Sequence, residues 1–267
     1  MSIDSHIHLF KKTHLAIPTA RHRPPYDAAF STIRSLAAQE GVGKFVLVQT
    51  SFMGTDNSHL LAHLHQFPTQ FRGVFILDKS TSREELRELK SQGVVGIRLN
   101  LFQTNLQESL SDEHIKLIDR CSLEGLSIGL HDDATRLIGI LDRIEGRASR
   151  LVIDHFGRPE SLAMAQDDPV YDQLLERMVR DNSYVKISAP YRSPNMNPEF
   201  AYQKLRRILG EEKLLWASDW PWTQSENYLT YKHWVNPFTH ASHTDDKPQR
   251  SLADRLANNS KLFYEFD

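Results

Sequence analysis

Eight short apolar runs, rich in β-branched residues, alternate with longer amphipathic stretches along the 267-residue chain. Nearly continuous apolar runs of this length are typical of parallel strands that are covered on both faces. The intervening stretches have the pattern of helices that pack one face against a sheet. The predicted strands are 2–8, 44–50, 71–77, 94–100, 126–131, 150–155, 183–188 and 213–218.

Helices are predicted between the strands, and some carry clear start and stop signals. Thr81 or Ser82 precedes EELRELKSQG, in which Gly93 ends the helix, and Ser111 precedes a helix that Gly125 closes. Eight strand–helix units predict a (β/α)8 TIM barrel, formed as a single domain over residues 1–267. An open doubly wound sheet is the alternative, but it favours a glycine-rich loop after strand one, and HLFKKTHLAIP contains no glycine. The predicted helices are 27–40, 56–66, 82–91, 111–124, 134–145, 168–181, 197–209 and one near 249–258.

Composition narrows the classes of partner. The formal net charge is −2, without a sustained basic patch, which argues against nucleic acid or a membrane surface as the partner. A single cysteine, Cys121, excludes an internal disulfide and fits a reducing compartment. Neither a signal peptide nor an apolar run of membrane-spanning length is visible. We therefore expect a cytoplasmic protein that acts on a small molecule, and self-association into a homo-oligomer stays open.

The first strand, SIDSHIH, places three titratable side chains at every second position. If the segment is extended, Asp4, His6 and His8 share one face, either on an exposed edge strand or in a site. A closed barrel has no edge strand, and its chemistry lies at the carboxyl ends of the strands. A lone histidine there is usually structural, but polar residues recur at several strand ends and so predict an active site. They are Arg98, Asn100, His131, Asp132, Asp133, Asp154, His155, Ser218 and Asp219, with Tyr191 and Arg192 just after strand seven.

These residues resemble a known superfamily. HxH on strand one, a histidine ending strand six and an aspartate ending strand eight are similar to the amidohydrolase superfamily. The motifs VQTSFMGTDN, GIRLN, IDHFGRP and ASDWPW resemble its amidohydrolase-related (amidohydrolase 2) branch, which contains 2-pyrone-4,6-dicarboxylate lactonase and sugar lactonases. The resemblance implies a hydrolase that opens a small lactone. The alternatives are a metal-dependent decarboxylase of an aromatic carboxylate, a non-lactone amidohydrolase, and a barrel that only binds a ligand.

Hydrolysis of a lactone needs a base for water and a group that polarises the carbonyl. Asp219 is the predicted base, and its alternative role is to cap the WPWTQ turn. His6, His8 and His155 either donate N–H bonds to the carbonyl oxygen without a metal, or join Asp219 as ligands of one divalent ion, most suitably Zn²⁺. We favour the metal-free arrangement. Asp4 lies one step deeper and is predicted to orient the histidines rather than to bind the ligand.

Substrate-binding residues follow from the resemblance. Arg98 and Arg192 stand where family members bind substrate carboxylates, and a guanidinium suits that role. The alternative for Arg98 is an ion pair inside the barrel with Asp132 or Asp154, and for Arg192 a solvated surface position. Four further residues are predicted to line the pocket, although a helix cap is the simpler interpretation for Asp56 or Asn57. They are Ser51, Thr55, Asn57 and Tyr191.

Two departures from the lactonase pattern concern the ligand. The loop LFQTNLQ after GIRLN is uncharged where the dicarboxylate lactonases present a further basic residue, and Trp222 stands where a histidine is common. Both predict a less anionic or more aromatic substrate. The aromatic-rich loop 223–247 is interpreted either as a lid over the barrel mouth or as a subunit contact.

Overall fold

The computed structural model of the protein describes residues 2–160, 168–235 and 251–267. Within these ranges the chain alternates strands and helices from its first residues to its last, as the apolar periodicity predicts. The strands are β1 (Ser2–Ile7), β2 (Val42–Val48), β3 (Phe71–Phe75), β4 (Val94–Asn100), β5 (Ser127–His131), β6 (Leu151–Ile153), β7 (Tyr184–Ile187) and β8 (Leu214–Trp216).

The α-helices lie where the amphipathic stretches predict them, with two short additions, α4 and α9. Ser82 caps α3 as expected, because its side chain accepts the Glu85 N–H while the Glu85 carboxylate accepts the Ser82 N–H. The helices are α1 (Phe30–Ala38), α2 (Ser58–Gln66), α3 (Arg83–Ser91), α4 (Leu106–Ser109), α5 (Asp112–Leu123), α6 (Ala134–Arg143), α7 (Pro169–Arg180), α8 (Pro198–Leu209), α9 (Tyr231–Val235) and α10 (Leu252–Phe263).

The strands form one parallel sheet in the order β1 to β8, and the first strand meets the last. Ile7 bridges to Trp220, the His8 N–H donates to the Trp220 carbonyl (2.9 Å), and the Asp219 N–H donates to the His6 carbonyl (3.0 Å). The sheet is therefore a nearly closed barrel, and the predicted (β/α)8 fold is confirmed. The two ends join beside His6, His8 and Asp219, so barrel closure brings these residues together.

Two apolar layers fix the barrel. The outward side chains of the strands pack under the helices, while a smaller cluster including Ile3, Val74 and Val152 fills the interior toward the amino ends. The last helix, α10, runs past the predicted end near residue 258 because Ser260 and Phe263 are buried against the barrel. The single-domain prediction includes the segments outside the described residues and stays a prediction.

One strand glycine is required by close packing. A Cβ on Gly96 of β4 would lie 2.1 Å from the Ser127 Oγ and 2.8 Å from the Ser127 carbonyl oxygen on β5. The glycine therefore allows the close approach of these strands below the site. Among the described residues, no helix is long and apolar enough to cross a membrane.

Candidate active site

Three imidazole nitrogens surround one carboxylate oxygen at the carboxyl end of the barrel. The Oδ1 of Asp219 lies 3.6 Å from the Nε2 of His6, 3.6 Å from the Nε2 of His8 and 3.8 Å from the Nε2 of His155. His6 and Asp219 are completely buried, and His8 is the most exposed of the four at 7%. Residues from strand ends separated by more than 200 positions thus converge on one point, as the strand-end pattern predicts.

The other oxygen of Asp219 is fully engaged. Its Oδ2 accepts bonds from the Tyr191 hydroxyl and from the Arg192 Nε (3.0 Å) and Nη2 (2.8 Å). Burial alone would raise the pKa of Asp219, but the Arg192 guanidinium and then His155 hold the pKa well below its usual range. The residue also has a positive φ of 59°. Asp219 is therefore a fixed, ionised carboxylate that turns one oxygen, Oδ1, toward the histidines.

A buried lysine, Lys186 of β7, lies beneath His6. Its Nζ is 3.1 Å from the His6 Nδ1 and 3.1 Å from the Asp154 Oδ1, and the side chain is only 2% exposed. An ammonium group has donors and no acceptor, so the His6 Nδ1 must accept. Burial, and then Lys186, also hold the pKa of His6 well below its usual value, which keeps the ring neutral. A neutral His6 that accepts at Nδ1 carries its proton on Nε2, the nitrogen that faces Asp219.

His8 has the opposite tautomer. Its Nδ1 lies 2.7 Å from the Val48 carbonyl oxygen, which can only accept, so Nδ1 carries a proton, and in this tautomer Nε2 has the lone pair. The His6 Nε2 is 3.2 Å from the His8 Nε2, which matches an N–H of His6 that donates to His8. The two rings of HxH therefore offer different groups to a ligand.

His155 follows β6 in a strained turn, at a φ of 55°. Its Nδ1 lies 2.9 Å from the Ser188 Oγ, and a hydroxyl permits either tautomer. Burial lowers the pKa of His155 to about 3, although the negative charge of Asp219 acts to raise it. All three histidines near Asp219 are thus in a position to act through single ring nitrogens, and His155 is neutral at ordinary pH.

His6, His155 and Asp219 could also hold a divalent metal ion, since their ligand atoms lie within 4.8 Å of one another. The donor types suit zinc, and the Asp219 Oδ1 has no hydrogen-bond partner among the described residues. The His6 tautomer does not suit ligation, because an N–H offers no lone pair to a metal. The spacing and donor types of the site therefore fit a cation. Lys186 disfavours metal binding at His6, because it keeps the proton on Nε2.

A cavity of about 280 Å³ opens above the histidines and is strongly basic. Arg21, Arg98, Arg158 and Arg192 all line it, and the Phe102 ring lies 5.1 Å from the Arg21 guanidinium carbon and 3.9 Å from that of Arg158. These arginines favour an anionic ligand, whereas the uncharged loop after β4 and Trp222 led to the expectation of a less anionic or more aromatic one. Arg98 lies on β4, and the other three arginines lie outside the strands.

The two arginines predicted to bind carboxylates both have internal partners. Arg98 donates from Nε to the Asp154 Oδ2 (2.9 Å), which is one of the predicted alternatives, yet it also lines the cavity. Arg192 is bound to Asp219 and is not a solvated surface residue. Arg98 can therefore meet both an internal acid and a ligand, while Arg192 holds the predicted base.

The remaining predicted pocket residues divide. Ser51 lines the cavity. Tyr191 does not line it but donates a hydrogen bond to Asp219, which does. Thr55 lines a neighbouring groove, whereas the Asn57 amide donates to the carbonyls of Thr55 and Ile76 and lines neither. Asn57 is the N-cap residue of α2 but its side chain makes no capping bond, and the Asp56 Oδ1 accepts the Ser58 N–H instead.

Asp4 orients the backbone rather than the imidazoles. Its Oδ1 accepts the N–H groups of His6 (3.2 Å) and Ser218 (2.9 Å), and its Oδ2 accepts the Tyr231 hydroxyl (2.9 Å). It therefore fixes β1 against the segment that leads to Asp219. In the loop 223–247, Thr223 and Gln224 line the cavity and Tyr231 and Trp234 are buried, while residues 236–247 lie outside the described ranges. The lid and the subunit contact both stay predictions.

Sequence reasoning missed Lys186, Arg21 and Arg158. A lysine inside the apolar strand YVKIS is itself a signal, because an unpaired charge is rarely buried. Arg158 lies in the quoted motif IDHFGRP, yet only histidine and aspartate were assigned there. Arg21 lies in a loop without periodicity, and no local pattern links it to Phe102, whose carbonyl it binds.

The chain is a (β/α)8 barrel in which one buried aspartate and three histidines meet at the carboxyl end. Residues 3–266 match the family described as Amidohydrolase, and the chain belongs to this family. The predicted family is therefore confirmed.

Three relatives are close to this chain over most of its length. A 2-pyrone-4,6-dicarboxylate hydrolase of Comamonas testosteroni is 25% identical over 95% of this chain and 88% of its own. A 4-sulfomuconolactone hydrolase of Rhizobium radiobacter is 27% identical, covering 82% of this chain and 75% of its own. The crystal structure of a probable 2-pyrone-4,6-dicarboxylic acid hydrolase from Acinetobacter baumannii, with citric acid bound, has a TM-score of 0.86 and 30% identity and covers 99% of each chain. These similarities bear out the prediction of a lactonase-like hydrolase.

Proposed function

We propose that this protein hydrolyses a small anionic lactone, with Asp219 as the general base. The observation that carries the proposal is the convergence of three histidine Nε2 atoms on the Asp219 Oδ1, while Tyr191 and Arg192 occupy Oδ2. A water beside Oδ1 lies next to imidazoles that can meet the carbonyl oxygen. Base and electrophile-binding groups are therefore held together by barrel closure.

The reaction begins with Asp219. Its Oδ1 takes a proton from water, and the water oxygen attacks the lactone carbonyl carbon. The oxyanion that forms accepts the N–H of His6, and of His155 when Ser188 donates to that ring. When the ring C–O bond breaks, Asp219 returns the proton to the leaving oxygen, so the product is an open-chain hydroxy acid and the base is regenerated.

The proposed carbonyl activation is metal-free, since Lys186 keeps a proton on the His6 Nε2 that faces the carbonyl. The alternative is one divalent ion, most suitably zinc, held by His6, His8, His155 and Asp219; bound there, it would act as a Lewis acid toward the carbonyl. Metal analysis of the purified protein separates the two. Activity without stoichiometric metal and resistance to chelators support the metal-free form, and stoichiometric zinc with chelator-sensitive turnover contradicts it.

Arg98, Arg21 and Arg158 are proposed to bind the anionic groups of the substrate. The two hydrolase relatives act, by name, on a dicarboxylate and a sulfo compound, and the Acinetobacter structure holds citric acid. An anionic substrate agrees with the basic cavity of this chain. Decarboxylation of an aromatic carboxylate would require a metal, so the same metal analysis also tests this alternative.

Replacement of Asp219 by asparagine tests the base. The variant keeps an acceptor at this position but loses the proton-accepting carboxylate, so we expect kcat to fall roughly 10²- to 10⁴-fold with KM within about threefold. Asp119→Asn is the matched control, since Asp119 pairs with Arg147 at the surface. Retention of most activity on anionic lactones by Asp219→Asn would remove Asp219 from the base role.

The wider setting of the enzyme is proposed from its composition, a formal net charge of −2 and a single cysteine. We propose that it acts in the cytoplasm on a free small molecule, without a nucleic-acid or membrane partner. Formation of a homo-oligomer stays a prediction, which light scattering of the purified protein tests.

A further inference from the structure

Phe102, the second residue after β4, lines the cavity and has no part in the proposed reaction. Its backbone is fixed to the barrel, because the preceding residue, Leu101, is buried and donates its N–H to the His131 carbonyl (3.0 Å). The Phe102 ring also packs against the His131 ring, with centroids 5.7 Å apart. Phe102 is therefore an aromatic residue that the barrel itself holds in the cavity wall.

Two arginines from different loops converge on Phe102. Arg21 lies between β1 and α1, and Arg158 follows β6. The guanidinium carbon of Arg158 lies 3.9 Å from the centre of the Phe102 ring and that of Arg21 lies 5.1 Å from it, and both distances are within the range of a cation–π interaction. The Arg21 Nη1 also donates to the Phe102 carbonyl oxygen (2.6 Å). A single residue thus contacts the charged groups of both arginines.

The remaining contacts of these arginines in the described part of the chain are weaker. Arg158 donates to the Asp133 Oδ1 (3.1 Å), but this carboxylate is 48% exposed, and an ion pair at the surface adds little. The Arg21 Nη2 lies 3.4 Å from the Asn100 Oδ1. Four guanidiniums line the same cavity, so their like charges repel one another. An arginine that is free to turn into solvent loses binding energy when a ligand orders it, and a ring that orders it beforehand avoids this cost.

We infer that Phe102 is a positioning residue for anion binding, which holds Arg21 and Arg158 in the cavity so that these arginines contact the anion. The inference rests on the proposed binding of an anionic substrate by the arginines and adds the residue that preorganises two of them. In the alternative arrangement the Phe102 ring would itself stack on the substrate. Positioning requires the two arginines, whereas stacking does not, and this difference can be measured.

Calorimetry with citrate measures anion binding without turnover. Phe102→Leu removes the ring and keeps the backbone carbonyl, and we expect the citrate dissociation constant to rise roughly 5- to 30-fold as two cation–π contacts are lost. For hydrolysis of 5-oxotetrahydrofuran-2-carboxylate, KM should rise by a similar factor with kcat within about twofold, because the anion is held equally in the ground and transition states. Phe102→Tyr, which keeps the ring, should restore both constants.

Phe266→Leu is the matched control. The Phe266 ring lies 4.8 Å from the Arg72 guanidinium carbon and 5.4 Å from the Lys44 Nζ, near the amino ends of β2 and β3. It thus also loses an aromatic ring that contacts two cations, but at the opposite end of the barrel from the cavity. Citrate affinity and KM should stay at their wild-type values in this variant.

The Arg21→Gln/Arg158→Gln double variant separates positioning from stacking. Adding Phe102→Leu to it should change kcat/KM for the lactone, which needs no saturation, by less than about twofold. If Phe102→Leu does not fold, the wild-type protein decides, since the ring current of Phe102 should shift the NMR signals of the Arg158 guanidinium upfield of those of Arg147, a surface arginine.

The outcomes distinguish this inference from the proposed reaction. If Phe102→Leu weakens citrate binding and wild type hydrolyses no lactone, the proposed reaction fails and the Phe102 assignment holds. Unchanged citrate affinity in Phe102→Leu, a loss of kcat/KM that persists without the two arginines, or unshifted Arg158 signals overturn the assignment. Failure of wild type to bind either probe overturns both proposals.

Discussion

Lys186→Met removes the charge beneath His6 and leaves a side chain of similar length. The Lys186 Nζ lies 3.1 Å from both the Asp154 Oδ1 and the His6 Nδ1. Without the ammonium group, the His6 Nδ1 no longer accepts a hydrogen bond. The proton of the His6 ring is then expected to move from Nε2 to Nδ1, where it faces the Asp154 Oδ1, 3.5 Å away. The Nε2 that faces Asp219 would become a lone pair.

The size of the effect follows from the ion pairs. Two unit charges 3.1 Å apart attract by roughly 5 kcal/mol at an effective dielectric constant of about 20. The desolvation cost that lysine no longer incurs offsets part of this, and loss of one partner of a buried pair typically costs about 3–5 kcal/mol. Asp154 retains the Arg98 Nε at 2.9 Å, so we expect the lower end, a loss of about 3 kcal/mol in the free energy of unfolding.

Four measurements check this prediction. Urea unfolding gives the stability, ¹⁵N NMR of histidine-labelled protein reports which ring nitrogen of His6 is protonated, and kcat should fall roughly 10- to 100-fold as the oxyanion donor is lost. Zinc affinity, measured by calorimetry, should rise, since His6 then presents a lone pair.

Lys204→Met is the control, because Lys204 is largely buried but pairs with the exposed Asp172. It should cost about 1 kcal/mol and leave the His6 signals and turnover unchanged. The reasoning is refuted if Lys186→Met unfolds within about 1 kcal/mol of wild type and its His6 nitrogen signals do not move.

Three further predictions concern the ligand, the sheet and pH. Arg21→Gln should raise KM for anionic lactones roughly 10-fold with kcat nearly unchanged, since the described residues place only uncharged acceptors on Arg21. Gly96→Ala should lower the free energy of unfolding by about 2 kcal/mol in urea titrations, because the added Cβ would lie 2.1 Å from the Ser127 Oγ. Burial, and then neighbouring histidines, lower the pKa of His59 to about 4, so the unfolded chain binds its proton first and stability falls as pH drops from 6.5 toward 4. For this half-buried ring we expect a loss of about 1 kcal/mol, which His59→Phe removes and His65→Phe retains in unfolding curves taken across that range.

The fold was predictable because its signal is repeated and local. Each parallel strand must be apolar on both faces, so KFVLVQT or VVGIRLN can be recognised without its neighbours. The β4 bounds, Val94–Asn100, agree with the prediction, whereas β6 and β8 are three residues each. Their predicted ends carry Asp154, His155 and Asp219, whose positions in turns follow from closure and ligand chemistry rather than from strand propensity.

The partners of the site residues were harder to predict than the residues themselves. The alternation of polar residues on one strand is enough to predict His6 and His8 as site residues. The tautomer of each ring, however, depends on Lys186 and on the Val48 carbonyl, which come from other strands. Arg21 reaches Phe102 across 81 positions of sequence through a loop that has no repeating pattern. Such contacts arise only when the barrel closes, so single-sequence reasoning gives the chemistry of the site but not its hydrogen-bond directions.

The arginines of the cavity differ in how many of their donors are bound to the buried acids Asp154 and Asp219. Arg192 donates from Nε and Nη2 to the Asp219 carboxylate. If Arg192 turned to a substrate carboxylate, the ion pair that keeps Asp219 ionised would be lost. Arg98 uses only Nε on Asp154, which leaves its terminal nitrogens for a ligand, and Arg21 binds only uncharged acceptors among the described residues. An anion in this cavity is therefore best held by Arg98 and Arg21, on the β4 side of the barrel. With the anion held there, the proposed lactone ring would lie between the arginines and Asp219, and its carbonyl would meet the histidines of β1.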